Sequence, residues 1–472
     1  MVASSPQGRG KWWALAAAGI GSFTTTLDGN IVKIALPTFS RVFDISPNSA
    51  VWVALVNYLT LAGLMLTFAM VADRVGRKKV YILGFAVLTA GLALSPLAHN
   101  LPQLLAFRVL QSLGAAMISS IGVAILTSAF PPSERGKALG IMSITTGLGI
   151  TLGPLAGGFL IDLFGWQAIF VARVPLAIAG LALSWVAIKT EPPPSTKRGL
   201  DISGSVLFLL AVIALVLGIN QGQPRGWTSP PVLSLFSLAA ILFAVLYFTE
   251  RWKLHPVADF ALFKNRVFAG ALITLFFRNL SQMLVLVITP FYLVQARLFS
   301  SSLSGVFLML VPLGLLSFGP LCGWLSDKLS PRWISSAGVF VMFLGFVLLT
   351  QLGLNSSTWM IVLGLIVCGV GLGIFEAPNI GMIMGAHPME KMNAASAMSS
   401  TVRQLSHATG VAMAGAIFTS RQLFHGSMLA GQALDPGMLK RLSVVGGFRD
   451  AMLLTAALGL VAVFASFIGG KR

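Results

Sequence analysis

Seven charged side chains fall inside long apolar stretches: Asp28, Lys33, Arg108, Arg173, Arg278, Glu376 and Arg403. A charge in hydrocarbon is costly, so such a group faces a cavity or a partner and marks a transport path. Only Asp28 and Glu376 are acids. A carboxylate exists with or without its proton, and burial and nearby cations set the balance. These two are therefore the first candidates for proton handling. Arg108 is a candidate partner that pairs with ionised Asp28 and is freed when Asp28 is protonated. Glu376 has no cation within one helical turn, so its partner must come from another stretch, with Arg278 and Arg403 as candidates. His407 lies one turn after Arg403 and reads as a packing histidine.

The elements that must position these groups are membrane helices. The chain has 472 residues, 56% hydrophobic and 10% charged, against about 25% charged for a soluble domain. Fourteen apolar stretches of helical length recur from end to end, each about 20 residues. Lipid offers the backbone no hydrogen bonds, and no alternating barrel pattern appears, so helices are expected. Turn residues mark the joins, as in Pro131-Pro132-Ser133 and Glu191-Pro192-Pro193-Pro194. The stretch at 166–189 is expected to be one helix. The polar stretch at 421–447 is expected to be an external loop, with a turn at Asp435-Pro436-Gly437. The first apolar segment is too long for a signal-peptide core and is expected to be retained.

A net charge of +18 suggests nucleic acid, but its distribution does not. With a cytoplasmic N-terminus, about 20 Lys and Arg fall on the cytoplasmic side and about 7 outside, which places both termini inside. Arg74, Arg77, Lys78, Lys79, Lys197, Arg198, Lys328 and Arg332 then set topology and contact anionic lipid. Cys322 and Cys368 lie within predicted helices, and nothing suggests a disulfide or a metal site. No nucleotide-binding Gly-rich loop ending in Gly-Lys-Ser/Thr is present, so an ion gradient is the expected energy source. A membrane-embedded enzyme would need a nucleophile–base or metal constellation, which the two acids and scattered histidines do not supply.

Two joins are alike. Ala69-Met70-Val71-Ala72-Asp73-Arg74-Val75-Gly76-Arg77 and Gly323-Trp324-Leu325-Ser326-Asp327-Lys328 each place Asp-basic just past an apolar helix. An Asp there can cap the next helix and pair with cations of the opposite half. Such duplication suggests two six-helix halves, with the substrate site between them near the midplane. The expected division is 1–190, an inserted helix pair within 191–266, and 267–472. Gly149, Gly153 and Gly157 recur every four residues and share a helix face, which admits another helix closely, while Pro154 permits a bend.

At these motifs the chain resembles a major facilitator superfamily transporter of the fourteen-helix drug:proton antiporter family. The join at Asp73 resembles that superfamily's first signature loop, with Ala69 where Gly is usual. Leu104 to Gly114, containing Arg108, resembles its helix-four motif, with Ser112 in place of Gly. Gly149, Gly153, Pro154, Gly157 and Gly158 match every defined position of the helix-five antiporter motif. Leu27 to Pro37 resembles the helix-one motif, but Asn30 and Lys33 replace its usual Thr and Asn. Arg173 replaces another usual asparagine.

The resemblance implies an all-α major facilitator fold working by alternating access. It implies proton coupling at Asp28 with Arg108 as its partner. Glu376, by its own position, reads as a second proton site or substrate contact, or as a buried pair holding the second half together. The repeated join reads as a latch of Asp73, Arg74, Gly76, Arg77 and Asp327. The resemblance also implies that the Gly149–Gly158 helix seals the halves near the outside. The cavity helices would be those at 12–38, 102–130, 267–295 and 358–386. They carry Asp28, Lys33, Arg108, Arg278 and Glu376, with Phe277, Tyr292 and Phe375 as apolar neighbours. The expected cargo is a hydrophobic or amphipathic compound exported against protons. Five internal cations facing two acids keep lipids or other anionic amphiphiles open as the alternative. No cofactor, metal or nucleic acid is expected. Membrane lipids surround the chain, which is expected to act as a monomer in a bacterial inner membrane.

Overall fold

An apolar run that crosses lipid must satisfy its backbone internally, and the computed structural model does so with helices throughout. It describes residues 8–188, 202–251, 253, 259–388 and 391–468. The join at Glu191–Pro194, the pair Lys197 and Arg198, and His255 lie outside them. The first bundle contains α1 (Gly8–Val42), α2 (Pro47–Ala50), α3 (Trp52–Val75), α4 (Arg77–Leu94), α5 (Leu101–Ala129), α6 (Arg135–Phe164), α7 (Ala168–Val171) and α8 (Val174–Ala187). Next come α9 (Ile202–Arg225) and α10 (Pro230–Glu250). The second bundle contains α11 (Arg266–Phe291), α12 (Ser301–Leu308), α13 (Leu310–Ser326), α14 (Pro331–Thr350), α15 (Thr358–Gly385), α16 (Met392–Leu429) and α17 (Pro436–Ser466).

Among the described residues, 12 spans are long and apolar enough to cross a membrane. α1 and α16, with 35 and 38 residues, are long but not among them. The reason is compositional: α1 carries Asp28, Lys33 and a run of threonines, and α16 carries Arg403 among many serines and threonines.

Two local expectations are corrected. The stretch at 166–189 is broken at Ala172 and Arg173, where Pro175 withholds an N–H and α8 starts afresh. The polar stretch at 421–447 is mostly helix: α16 runs to Leu429, and Asp435 accepts from the N–H groups of Gly437 and Met438 to cap α17. Its long helices survive because Asp450 gathers Arg421 and His425 between them. The span after Ser300 bends at Met309, which separates α12 from α13.

Small residues set the closest packing. A Cβ on Gly314 would strike the backbone of Gly369, so α13 and α15 touch backbone to backbone. α9 packs against both α3 and α16, one helix from each bundle. Asn220 on α9 donates to Asn48 and accepts from Trp52 Nε1 at 3.0 Å, and the Asn48 N–H donates to Thr419 Oγ1 at 3.0 Å. α10 meets mainly α9 and is the least buried span.

The bundles meet at one end and part at the other. At the closed end α6 lies against α12, and a Cβ on Gly158 would strike the Ser301 carbonyl while one on Gly305 would strike that of Pro154. Asp162 accepts there from the N–H groups of Ser301, at 3.1 Å, and Ser302, at 2.6 Å. At the other end, Cβ atoms on Gly76, Gly136, Gly140, Gly381 and Gly385 would meet nothing within 4 Å.

Gly76 joins α3 to α4 at φ +107°, a region that L side chains avoid. Gly76→Ala is expected to lower stability by about 1 kcal/mol or more through backbone strain alone. Thermal unfolding in detergent checks this. An unchanged midpoint would mean that the turn relaxes freely.

Candidate functional site

The seven internal charges resolve into two clusters and one separate lysine. In the first cluster Asp28 of α1 is fully buried. Its Oδ1 accepts from Arg108 Nη1 on α5 at 2.7 Å, from Gln111 Nε2 at 2.6 Å, and from Arg173 Nη1. Oδ2 has no partner among the described residues. The backbone holds the arginines in place: Arg108 Nε donates to the Val53 carbonyl at 3.1 Å, and Arg173 Nε to that of Ile169 at 2.7 Å. The break before α8 turns Arg173 inward.

In the second cluster Glu376 of α15 joins Arg278 of α11 through Oε2, and Arg403 Nη1 of α16 through Oε1 at 2.7 Å. Arg278 Nη1 also donates to Gln282 Oε1 at 2.6 Å, and its guanidinium stands 4.8 Å from the Phe375 ring centre. Both candidate partners of Glu376 are therefore used at once. The clusters share a plan with the charges exchanged: acid on α1 and base on α5 in one, base on α11 and acid on α15 in the other. Their exposure differs. Asp28 and Arg108 are at 0%, whereas Glu376 and Arg403 side chains are 14% and 31% exposed. In this conformation the second cluster is partly exposed and the first is fully enclosed.

Lys33 is 3% exposed and has no carboxylate among the described residues; its ammonium donates to Asn30 Oδ1 at 3.0 Å and lies 5.7 Å from the Tyr58 ring centre. His407 meets the same tyrosine ring edge-on, as a packing histidine.

Other expected site residues stand elsewhere. Tyr292 does not line the cleft: its ring stacks on Phe448 at 4.4 Å and its hydroxyl donates to the Gly353 carbonyl at 2.8 Å. Phe375 is wholly buried, packed behind Arg278 with Phe268, Leu272 and Val339. Phe277 is half-buried against Phe276. Asp73 pairs with Arg77 of its own join at 3.1 Å rather than with a cation of the other bundle. Asp327 and Arg74 have no ion pair among the described residues, and Lys328 lies over Trp324. Among the described residues, no ion pair joins these groups to the other bundle. Glu134 binds Lys11 at 2.5 Å, and Arg135 donates to the Phe130 carbonyl.

The glycine face of α6 is divided in its contacts. Gly149, Gly153 and Gly157 meet Phe23, Thr26, Asn30, Ile31 and Ile34 of α1, within the same bundle. Gly158 and the Pro154 carbonyl meet α12 of the other bundle, and Gly147, farther along α6, faces Leu316 of α13. Sequence reasoning did not assign roles to Arg173, Gln111, Gln282 or Asp162. Arg173 had a signal: pairing all four internal arginines with two acids requires an acid to serve more than one base. At the open end an apolar groove of about 520 Å³ runs between α1 and α6, lined by Trp12, Leu15, Gly19, Phe23, Ile141 and Leu148 among others.

Known proteins are similar to the chain in sequence and in fold. The family model described as Major Facilitator Superfamily matches residues 18–411. The chain is 33% identical over 412 residues to a riboflavin transporter of Clostridioides difficile, covering 86% of this chain and 88% of that protein. It is 30% identical to a multidrug resistance protein of Mycobacterium tuberculosis, covering 86% and 75%. A tetracenomycin C resistance and export protein of Streptomyces glaucescens is 26% identical, covering 89% and 78%. In fold, the chain matches a bacterial homologue of the human lysosomal transporter Spinster, inward-facing and unoccupied, with a TM-score of 0.71, 16% identity and 98% of each chain covered.

Proposed function

Since the chain belongs to the Major Facilitator Superfamily, a family of membrane transporters, we propose that it is a proton-coupled antiporter exporting hydrophobic or amphipathic compounds. The observation that carries this reading is Asp28, sealed from water and held by arginines from two other helices of its bundle. Protonating it removes the charge that ties α1 to α5 and α8, and leaves Arg108 and Arg173 repelling each other. Asp28 takes its proton in the outward-facing state, the loosened ties let the halves rock inward, and loss of the proton on the inner side restores the pairs seen here. Glu376 forms the same kind of tie among α11, α15 and α16 and exchanges protons from the side that water now reaches. Several relatives are named for multidrug or antibiotic resistance, which supports an export role.

In this reading residues 1–190 and 267–472 are the moving halves. The segment 191–266 carries an inserted pair, and α1 and α16 complete fourteen spans. The protein works as a monomer in a bacterial inner membrane with both termini inside, so the open end is cytoplasmic. The proton gradient supplies the energy, with no cofactor. Gly158 with Pro154, and Asp162 with Ser301 and Ser302, hold the outer gate. Asp73, Arg74 and Asp327 pair across the inner mouth only when that end closes.

The test is substrate-driven proton movement in proteoliposomes carrying an internal pH probe. Lipophilic dyes of both charges are added to wild type and to Asp28→Asn. Wild type is expected to move protons when substrate is added, and Asp28→Asn to lose that coupling. Transport by Asp28→Asn with undiminished proton movement would remove Asp28 from the coupling role.

A further inference from the structure

Lys33 is the one internal charge that neither carboxylate cluster absorbs. An ammonium has three N–H groups, and only the bond to Asn30 uses one among the described residues. A buried charge left unpaired is strongly unfavourable, so such a group calls for a counter-charge. Lys33 and Asn30 border a small cavity with Ile150 and Pro154 on their side and Gln282, Leu286, Leu308 and Pro312 from the other bundle. A guanidinium only donates, so the Gln282 oxygen must face Arg278, and its amide N–H₂ is the end left over. That nitrogen has no partner among the described residues. Asn30 Nδ2 is already committed to the Thr26 carbonyl at 2.8 Å. An ammonium from one bundle and an amide donor from the other therefore border one space. The surrounding charge points the same way. Asp28 and Glu376 each face two arginines, so each cluster keeps one positive charge in excess and Lys33 adds a third.

We propose that Lys33, with Gln282 across the interface, binds the anionic group of an amphipathic substrate: a carboxylate, sulfonate or phosphate. Charge-assisted hydrogen bonds of this kind are among the stronger ones. In this conformation the cavity holds about one water, so only the head group reaches its rim. The apolar body lies towards the groove between α1 and α6. Phe23, in that groove, and Asn30, at the cavity, are seven residues apart and share a face of α1. From Phe23 to Lys33 is about 15 Å along the helix, which suits an amphiphile of moderate length. The binding step joins the two bundles through one ligand, so release on separation follows from the same geometry. This substrate class rests on the transporter reading above. The ligand is either a soluble organic anion or an anionic lipid headgroup.

The test is saturable binding of anilinonaphthalene sulfonate, and of a size-matched naphthalene trimethylammonium, to protein in zwitterionic nanodiscs. Wild type is expected to bind the sulfonate in preference to the ammonium compound. Lys33→Asn is expected to weaken sulfonate binding about tenfold or more, the factor that 1.4 kcal/mol represents. Lys33→Arg is expected to restore it, and neither change should affect the ammonium compound. Lys33→Gln replaces Lys33→Asn if the latter does not fold. Sulfonate binding that is equal in wild type and Lys33→Asn overturns the proposal, as does preference for the ammonium compound. Adding phosphatidylglycerol to the nanodiscs separates the sources: displacement of the sulfonate from wild type points to a lipid headgroup, and none points to a soluble anion. Failure of the transporter reading looks different. Sulfonate binding would then still depend on Lys33, while wild-type proteoliposomes move no protons with any dye.

Discussion

Asp28→Asn is expected to lower stability by about 3–5 kcal/mol, the usual range when one partner of a buried ion pair is removed. The change leaves Arg108 and Arg173 charged, buried and facing each other without their acceptor. Arg173→Gln should do much less harm. It leaves Asp28 with Arg108 as a balanced pair, still supported by Gln111 at 2.6 Å. The order of the two variants follows from charge count: one leaves two unmatched cations and the other leaves none. Thermal unfolding of both in the same detergent decides it. If Arg173→Gln is as damaging as Asp28→Asn, the cluster is held by packing rather than by charge. Glu376→Gln offers a milder comparison, because its cluster is open to water and solvent can take up part of the lost interaction.

Gly158→Leu is expected to reduce transport by about tenfold or more, because backbone overlap cannot be relieved by a rotamer change. A Cβ at that position would overlap the Ser301 carbonyl and lie 3.0 Å from the Ser302 Cα. The bundles must then stay apart at the end that is closed here. Spin labels on Leu163→Cys and Leu303→Cys, both exposed beside this contact, should report a longer distance in Gly158→Leu than in the parent. Cys322 and Cys368 are buried and should label poorly. An unchanged distance with full transport would mean that α6 and α12 shift without opening the gate. Gly153→Leu should act differently. Gly153 packs on Asn30 and Ile31 of its own bundle, so that change should damage folding more than gating.

Much of the site was legible before any coordinates. Charges inside apolar runs are conspicuous because lipid penalises them, and each of the seven is buried or half-buried in a helix or at a helix end. The candidate pairs Asp28 with Arg108, and Glu376 with Arg278 or Arg403, are the pairs that form. Arg173 escaped assignment because its direction depends on a helix break, and the strength of the break at Pro175 is decided by what Arg173 can reach. Tyr292 was misplaced because an aromatic on a cavity helix can face either way, and only its stack on Phe448 fixes which. The residues of 421–447 read as a loop because they interrupt the apolar runs and contain the Asp435-Pro436-Gly437 turn; α16 and α17 reach into the stretch through their mutual packing and the Asp450 cluster.

By itself, then, the sequence determined the class of molecule. Length, apolar periodicity and the placement of charge specify a helical membrane protein with a polar interior, since these are properties of each segment in lipid. It also determined the groove-forming glycines of α6, because four-residue spacing is local geometry. The tertiary structure alone decided which helix each glycine meets, and that Asp73 pairs with Arg77 of its own join in this conformation. It alone decided that Lys33 remains without a carboxylate. Those outcomes depend on how the bundles sit against each other, an arrangement set by many weak contacts between distant residues and written in no single segment.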